Sequence, residues 1–301
     1  MTSDRILYRT EVRFNSIYVI ESLPDGDPKT GRDLYDQVIY PATLQLPGIH
    51  TQFLSAPTSG AFLGALAEVG RNVRLYNHIP ILHIEAHGSD DGIGLADGTE
   101  VTWRDLVPIL GDINQACKMN LTVIAISCMG WNLTHSLMPA DRAPLFMLVG
   151  PPAAMTGEDL LAATKRFYEA IAQHVDMNKG LEAMNDGQEY DTWRLKPATA
   201  EILYCRVFRH YLDELGGIDQ SEQRVDAVVA NVLESRPLHP QKIDDLRASV
   251  RRDLSDHRLW YDHWRHTFLM LDLFPDSEGR FGLTYDLCMP SITQEIAALS
   301  V

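Results

Sequence analysis

The sequence predicts an α/β fold on a mostly parallel sheet, followed by a helical C-terminal extension. Three observations carry this expectation. Short β-branched or apolar runs alternate with helix-length stretches from residue 17 to about residue 215, the pattern of strand–helix–strand crossovers. Two runs, 121–128 and 145–150, are continuously apolar in character, as expected of strands buried on both faces. From residue 218 onward the alternation gives way to three apolar stripes at helical spacing.

Taken in order, Ile17 to Glu21 is a first strand, closed by the breaker-rich loop Leu-Pro-Asp-Gly-Asp-Pro at 23–28. Leu34, Val38 and Ile39 carry helical spacing over 32–46, and Pro47-Gly48 stops that helix. His50 to Ser55 is a second strand. The stripe Phe62, Leu63, Leu66, Val69 and Val73 predicts a helix over 59–76. Pro80 to Gly88 (PILHIEAHG) is a third strand ending in a glycine turn. Ile93 to Thr102 is a hairpin around Asp97-Gly98, a strong two-residue turn signal. A helix over 103–117 leads to the apolar strand 121–128, and 145–150 is another strand. The longest helix starts at Thr156, an N-cap followed by Glu158 and Asp159. After Lys179 a polar loop is expected, with an edge strand at 193–196 and a last helix at 199–215.

The chain has 301 residues and 33.8 kDa, with 45% hydrophobic and 22% charged residues, which suits one large domain with an appendage. The division expected is a domain at 1–216 and a helical extension at 217–301. Lys and Arg number 26 against 41 Asp and Glu, for a net charge of −15. That balance argues against nucleic acid or an anionic membrane as partner. No run reaches the roughly 20 apolar residues a membrane span needs, and Met1-Thr-Ser-Asp-Arg-Ile6 lacks a secretory layout. The cysteines Cys117, Cys128, Cys205 and Cys288 are too scattered for a disulfide framework or a paired metal site. A reducing cytoplasm is therefore expected, with Cys117, Cys205 and Cys288 read as core packing. No cofactor is expected. Gly60 and Gly64 form no dinucleotide fingerprint, and no phosphate-binding Gly-Lys-Ser/Thr occurs.

In parallel α/β sheets, functional groups gather at the carboxyl ends of the strands. Two chemically capable residues sit there. His87 closes the third strand before Gly88, and Cys128 closes the strand at 121–128 before Met129-Gly130. A thiol is mostly protonated at neutral pH and needs a nearby imidazole to become a nucleophile. Gly88, without a side chain, lets its N–H approach a substrate oxygen.

Ile84-Glu-Ala-His87-Gly88 and Ile124-Ala-Ile-Ser-Cys128-Met-Gly130 together resemble the caspase-like superfamily of cysteine peptidases, which includes the bacterial CHAT proteases. The likeness covers about residues 12–216 and extends to the order of elements. It implies a caspase-like three-layer sandwich and a cysteine endopeptidase acting on a protein or peptide. His87 would be the acid/base, Cys128 the nucleophile, and the N–H groups of Gly88 and Cys128 the oxyanion hole. A role in bacterial defence or cell death is what the resemblance suggests. The sequence departs from metacaspases in carrying Ile126 where they have an aspartate, and it lacks the caspase Gln-Ala-Cys-x-Gly motif. P1 preference is thus not carried over. Glu21, Asp25 and Asp27 follow the first strand, where this fold often places a P1-binding residue; a solvated acidic loop accounts for them more simply. Arg142 could equally serve an acidic P1, and Trp131 marks a candidate substrate loop.

Two other readings fit the same residues. His83, Glu85 and His87 alternate along one strand and share a face, so they could hold a metal in a hydrolase. If the sheet is buried on both faces, His83 and Glu85 must instead be bonded internally. Alternatively the sheet is a catalytically silent scaffold. The C-terminal helices either pack on the domain or dock a regulatory partner.

Overall fold

The computed structural model describes residues 11–44, 46–126, 133, 136–151, 155–188, 192–215, 218–235 and 239–289. Its centre is a sheet of β1 (Ser16–Ser22), β2 (His50–Ser55), β3 (Pro80–Gly88), β6 (Thr122–Ile126), β7 (Met147–Gly150) and β8 (Lys196–Thr199), in the order β2-β1-β3-β6-β7-β8. All pairings along this path are parallel except β7 with β8. A small hairpin, β4 (Gly92–Gly94) and β5 (Glu100–Thr102), branches antiparallel from the end of β3. Gly92 is required in this hairpin, because a Cβ there would lie 2.3 Å from the Val101 carbonyl oxygen.

The expected α/β architecture is present, with helices on both faces of a mostly parallel sheet. β1, β6 and β7 are buried along their whole length, which is why their sequences run apolar without alternation. On one face lie α3 (Ser59–Tyr76) and α4 (Trp103–Ala116), covering the side of Tyr18, Ile20, Leu82 and Ile84. Both start at threonine N-caps, Thr58 and Thr102, whose side chains accept from the N–H groups of Ala61 and Asp105. On the other face lie α1 (Thr30–Leu34), continued by a π-helical turn (Tyr35–Ile39) and α2 (Tyr40–Thr43), together with α5 (Gly157–His174).

Three details differ from the sequence expectation. The long helix after Thr156 stops at His174. Val175 adopts a left-handed conformation (φ 49°), and Asp176 caps a separate α6 (Met177–Met184) by accepting from the N–H groups of Asn178 and Lys179. The last strand is Lys196–Thr199 rather than 193–196. It contains Pro197, tolerated because β8 is an edge strand. Cys205 and Cys288 are buried in the core as expected, but they also pair as a disulfide, with Cα atoms 5.7 Å apart and a sequence separation of 83. Two isolated cysteines carry no spacing signal of such a link.

After α7 (Ala200–Leu215) come α8 (Ile218–Ser235), α9 (Pro240–Ser255) and α10 (His257–Phe268). The extension is of two kinds. α8 and α9 pair with each other through Arg251–Glu222 and Arg247–Asp226 ion pairs. From α10 onward the chain joins the main core: Tyr261, Phe268, Leu271, Phe281 and Leu283 belong to the same buried cluster as the sheet. Tyr204 Oη donates to the Tyr261 carbonyl at 2.6 Å, and Leu283 N–H donates to Glu201 Oε1 at 2.7 Å. Burial raises the Glu201 carboxyl above its usual range, against the pull of the Leu283 N–H and Arg265. No helix among the described residues is long and apolar enough to cross a membrane.

Candidate active site

The carboxyl edge of the sheet is set by register. Glu21 of β1 lies opposite Glu85 of β3, which lies opposite Ile126 of β6. In parallel strands, register partners project from one face. Glu21, Glu85 and Ile126 therefore form a row on one face, with Glu21 and Glu85 beneath the start of α1.

The two carboxylates in this row are buried and bonded. Glu85 accepts from Thr30 Oγ1 and from His83 Nε2, the latter at 2.7 Å. His83 is wholly buried, and its Nδ1 meets Tyr168 Oη at 3.2 Å. With Glu85 as acceptor, Nε2 of His83 is the donor and Nδ1 accepts from Tyr168. A polar chain thus runs from α5 through β3 to the first residue of α1. Burial raises the Tyr168 hydroxyl well above its ordinary range, and the Glu85 charge adds to this. Glu21 Oε1 accepts from the Arg32 N–H at 2.9 Å. Burial pushes its carboxyl up, the Arg32 N–H pulls it back, and the Glu85 charge pushes it further up. Gly31 permits this approach: a Cβ there would lie 3.1 Å from both Glu21 Oε1 and Glu85 Cβ.

His87 is different. It lies on the same face two residues further along, where its side chain is 64% exposed. Its backbone is held by pairing with Gly94 of β4, and Gly88 is paired with Ile93. Its Nε2 lies 2.6 Å from Oδ2 of Asp27, in the loop after β1. Among the described residues, Nδ1 of His87 has no partner. The arrangement is an imidazole fixed at one nitrogen by a carboxylate and able to exchange a proton at the other.

The loop that supplies Asp27 is braced by its own residues. Pro24 and Pro28 restrict the backbone, and the Asp27 N–H donates to the Pro24 carbonyl at 3.1 Å. Lys29 Nζ donates to the carbonyls of Leu23 and Pro24, the latter at 2.9 Å.

No protein-family model matches the chain, and no curated protein matches its sequence.

The remaining site candidates are placed as follows. Asp25 is fully exposed and 3.7 Å from Lys29. Glu21 is turned into the protein, its carboxylate bound to the start of α1. Arg142 forms a two-pronged ion pair with Asp272, at 2.8 and 2.6 Å, and so fastens the C-terminal segment. Cys128 and Trp131 lie outside the described residues. His83 and Glu85 are committed to each other and to Tyr168 and Thr30. Among the described residues, no three His, Cys, Asp or Glu side chains are grouped to hold a metal ion. Sequence reasoning missed Thr30, Tyr168 and Lys29 as parts of this edge. The Lys29 position, one residue after the loop's second proline, was the only visible signal.

Proposed function

We propose that the chain is a cysteine endopeptidase of caspase-like type, with His87 as acid/base and Cys128 as nucleophile. The register at the sheet edge carries this reading. Glu85 and Ile126 are partners on adjacent parallel strands, and the sequence puts His87 two residues beyond the first and Cys128 two residues beyond the second. Strand parity would give both the same face. The mostly parallel sheet and the hairpin at 92–102 also agree with what the resemblance implies, as do a closing strand and helix near 196–215.

In the proposed reaction, His87 takes the Cys128 proton and the sulfur attacks the scissile carbonyl carbon. The C=O electron pair moves to oxygen, where the N–H groups of Gly88 and Cys128 would stabilise it. Collapse breaks the C–N bond, and the amine leaves with the proton from His87, giving a thioester. Water then gives a proton to His87 as it attacks, the C–S bond breaks, and the sulfur regains its proton. The substrate is a protein or peptide, with a dedicated target in a bacterial defence or cell-death system as the role the resemblance suggests. A cytoplasmic setting belongs to the same reading, although the Cys205–Cys288 bridge is of a kind more usual in oxidising compartments.

The test is labelling by a thiol-reactive peptide electrophile, with cleavage of a positional peptide library alongside. Cys117 is a built-in control: burial pushes its thiol up to about 11, and Cys205 and Cys288 are bonded to each other. Labelling is expected at Cys128 alone, and Cys128→Ala is expected to abolish both labelling and cleavage. Equal labelling of that variant, or cleavage that survives it, overturns the assignment. A silent scaffold would show neither activity in the unaltered chain.

A further inference from the structure

We infer that Asp27 is a positioning residue that completes a Cys–His–Asp relay, rather than a contact for the substrate's P1 side chain. The inference rests on the peptidase reading above and goes beyond it by adding a third member. The contact is the 2.6 Å approach of Asp27 Oδ2 to His87 Nε2. A carboxylate can only accept there, so the bond places a proton on Nε2 and leaves the lone pair of the neutral ring on Nδ1. On the peptidase reading, that nitrogen is the one that would take the thiol proton. When the ring takes the thiol proton, the carboxylate lies against the positive charge, and it keeps the imidazole in one orientation through both proton transfers.

Two features distinguish Asp27 from the other acids of this edge. Glu21 and Glu85 are buried and bonded to α1, and Asp25 is fully exposed beside Lys29. Asp27 alone among them meets the exposed imidazole. Its loop is also held, by two prolines and by Lys29 on the Leu23 and Pro24 carbonyls. A carboxylate on a braced loop has lost part of its freedom before the reaction, so little ordering remains when the ring becomes charged. A P1 contact would instead need the carboxylate free to face the substrate.

The experiment compares full-length wild type with Asp27→Ala on a peptide cut in a Cys128-dependent manner. The expected result is a fall in kcat of ~10- to 100-fold with KM nearly unchanged. That is smaller than the loss for a buried triad aspartate, because this pair is partly solvated. A raised KM with unchanged kcat would identify a substrate contact and overturn the inference, as would no change in either constant. Nuclear magnetic resonance gives a second readout that does not depend on cleavage. A downfield Nε2 proton of His87, bonded to carboxylate, is expected in wild type and in Cys128→Ala, and is expected to vanish in Asp27→Ala. Its absence from wild type, or its persistence in Asp27→Ala, overturns the pairing. If wild type shows no Cys128-dependent cleavage, the peptidase reading fails, while the resonance still reports separately on the Asp27–His87 bond.

Discussion

The inner part of β3 and its outer end carry the same chemistry in different surroundings. His83 and His87 stand four residues apart on one face of one strand, and each is bonded through Nε2 to a carboxylate. At His83 both ring nitrogens are occupied, by Glu85 and Tyr168, and no part of the residue reaches solvent. At His87 one nitrogen is held by Asp27 and the ring is mostly exposed. A buried imidazole with two partners is a brace, since moving its proton would strand a neighbour in low dielectric. An exposed one with a single anchor can give up and regain a proton. Burial and partner number, not residue type, separate the two.

Substituting each histidine tests this contrast most strongly. His87→Ala is expected to lower Cys128-dependent cleavage by ~1000-fold or more, with stability within about 0.5 kcal/mol of wild type. His83→Ala is expected to destabilise by about 2–4 kcal/mol, because Glu85 and Tyr168 each lose a buried partner. Chemical denaturation and cleavage assays on both variants check the pair. Large activity loss in a fully stable His83→Ala, or large unfolding in His87→Ala, would erase the distinction.

Glu21 offers a smaller test on the buried side. Its carboxyl is raised in the fold, chiefly by burial, so the folded state holds its proton more tightly than the unfolded chain does. The resulting stabilisation is complete below the unfolded value and is lost as pH rises through the folded one. Glu21→Gln keeps an acceptor for the Arg32 N–H and removes the charge beside Glu85. It is expected to be more stable than wild type near neutral pH, with the difference closing as pH falls through the carboxylate range. Denaturation curves at several pH values read this directly. A constant difference across pH would show that Glu21 titrates alike in both states.

How much of this was legible in the sequence follows from the range of each interaction. The strands, the His-Gly strand end and the hairpin were legible because each is written in consecutive residues: apolar runs, a glycine, an Asp-Gly turn. The internal pairing of His83 with Glu85 was legible too, since alternation places them on one buried face where unpaired polar groups are costly. The split of the long helix was marked only by Asp176, which caps α6. Three features were not legible: the Asp27–His87 bond, the Cys205–Cys288 bridge and the Arg142–Asp272 clamp. They join residues 60, 83 and 130 positions apart. Each depends on how loops and the C-terminal segment return to the sheet, which local periodicity does not encode.

The smallest effect expected lies at Lys29, and it sharpens what the exposed end of β3 requires. Lys29 touches neither His87 nor any residue assigned to the chemistry. It holds the carbonyls of Leu23 and Pro24 at the root of the loop that presents Asp27. If the exposed imidazole owes its orientation to a braced carboxylate, loosening the brace should cost activity without removing any reacting group. Lys29→Ala is expected to lower kcat about 2- to 5-fold, with KM unchanged and stability within about 0.5 kcal/mol. In Lys29→Ala combined with Asp27→Ala, the Lys29 change should have no further effect, because both act through the same bond. Full additivity of the two losses would mean that the loop contributes by another route, and that its bracing is incidental to His87.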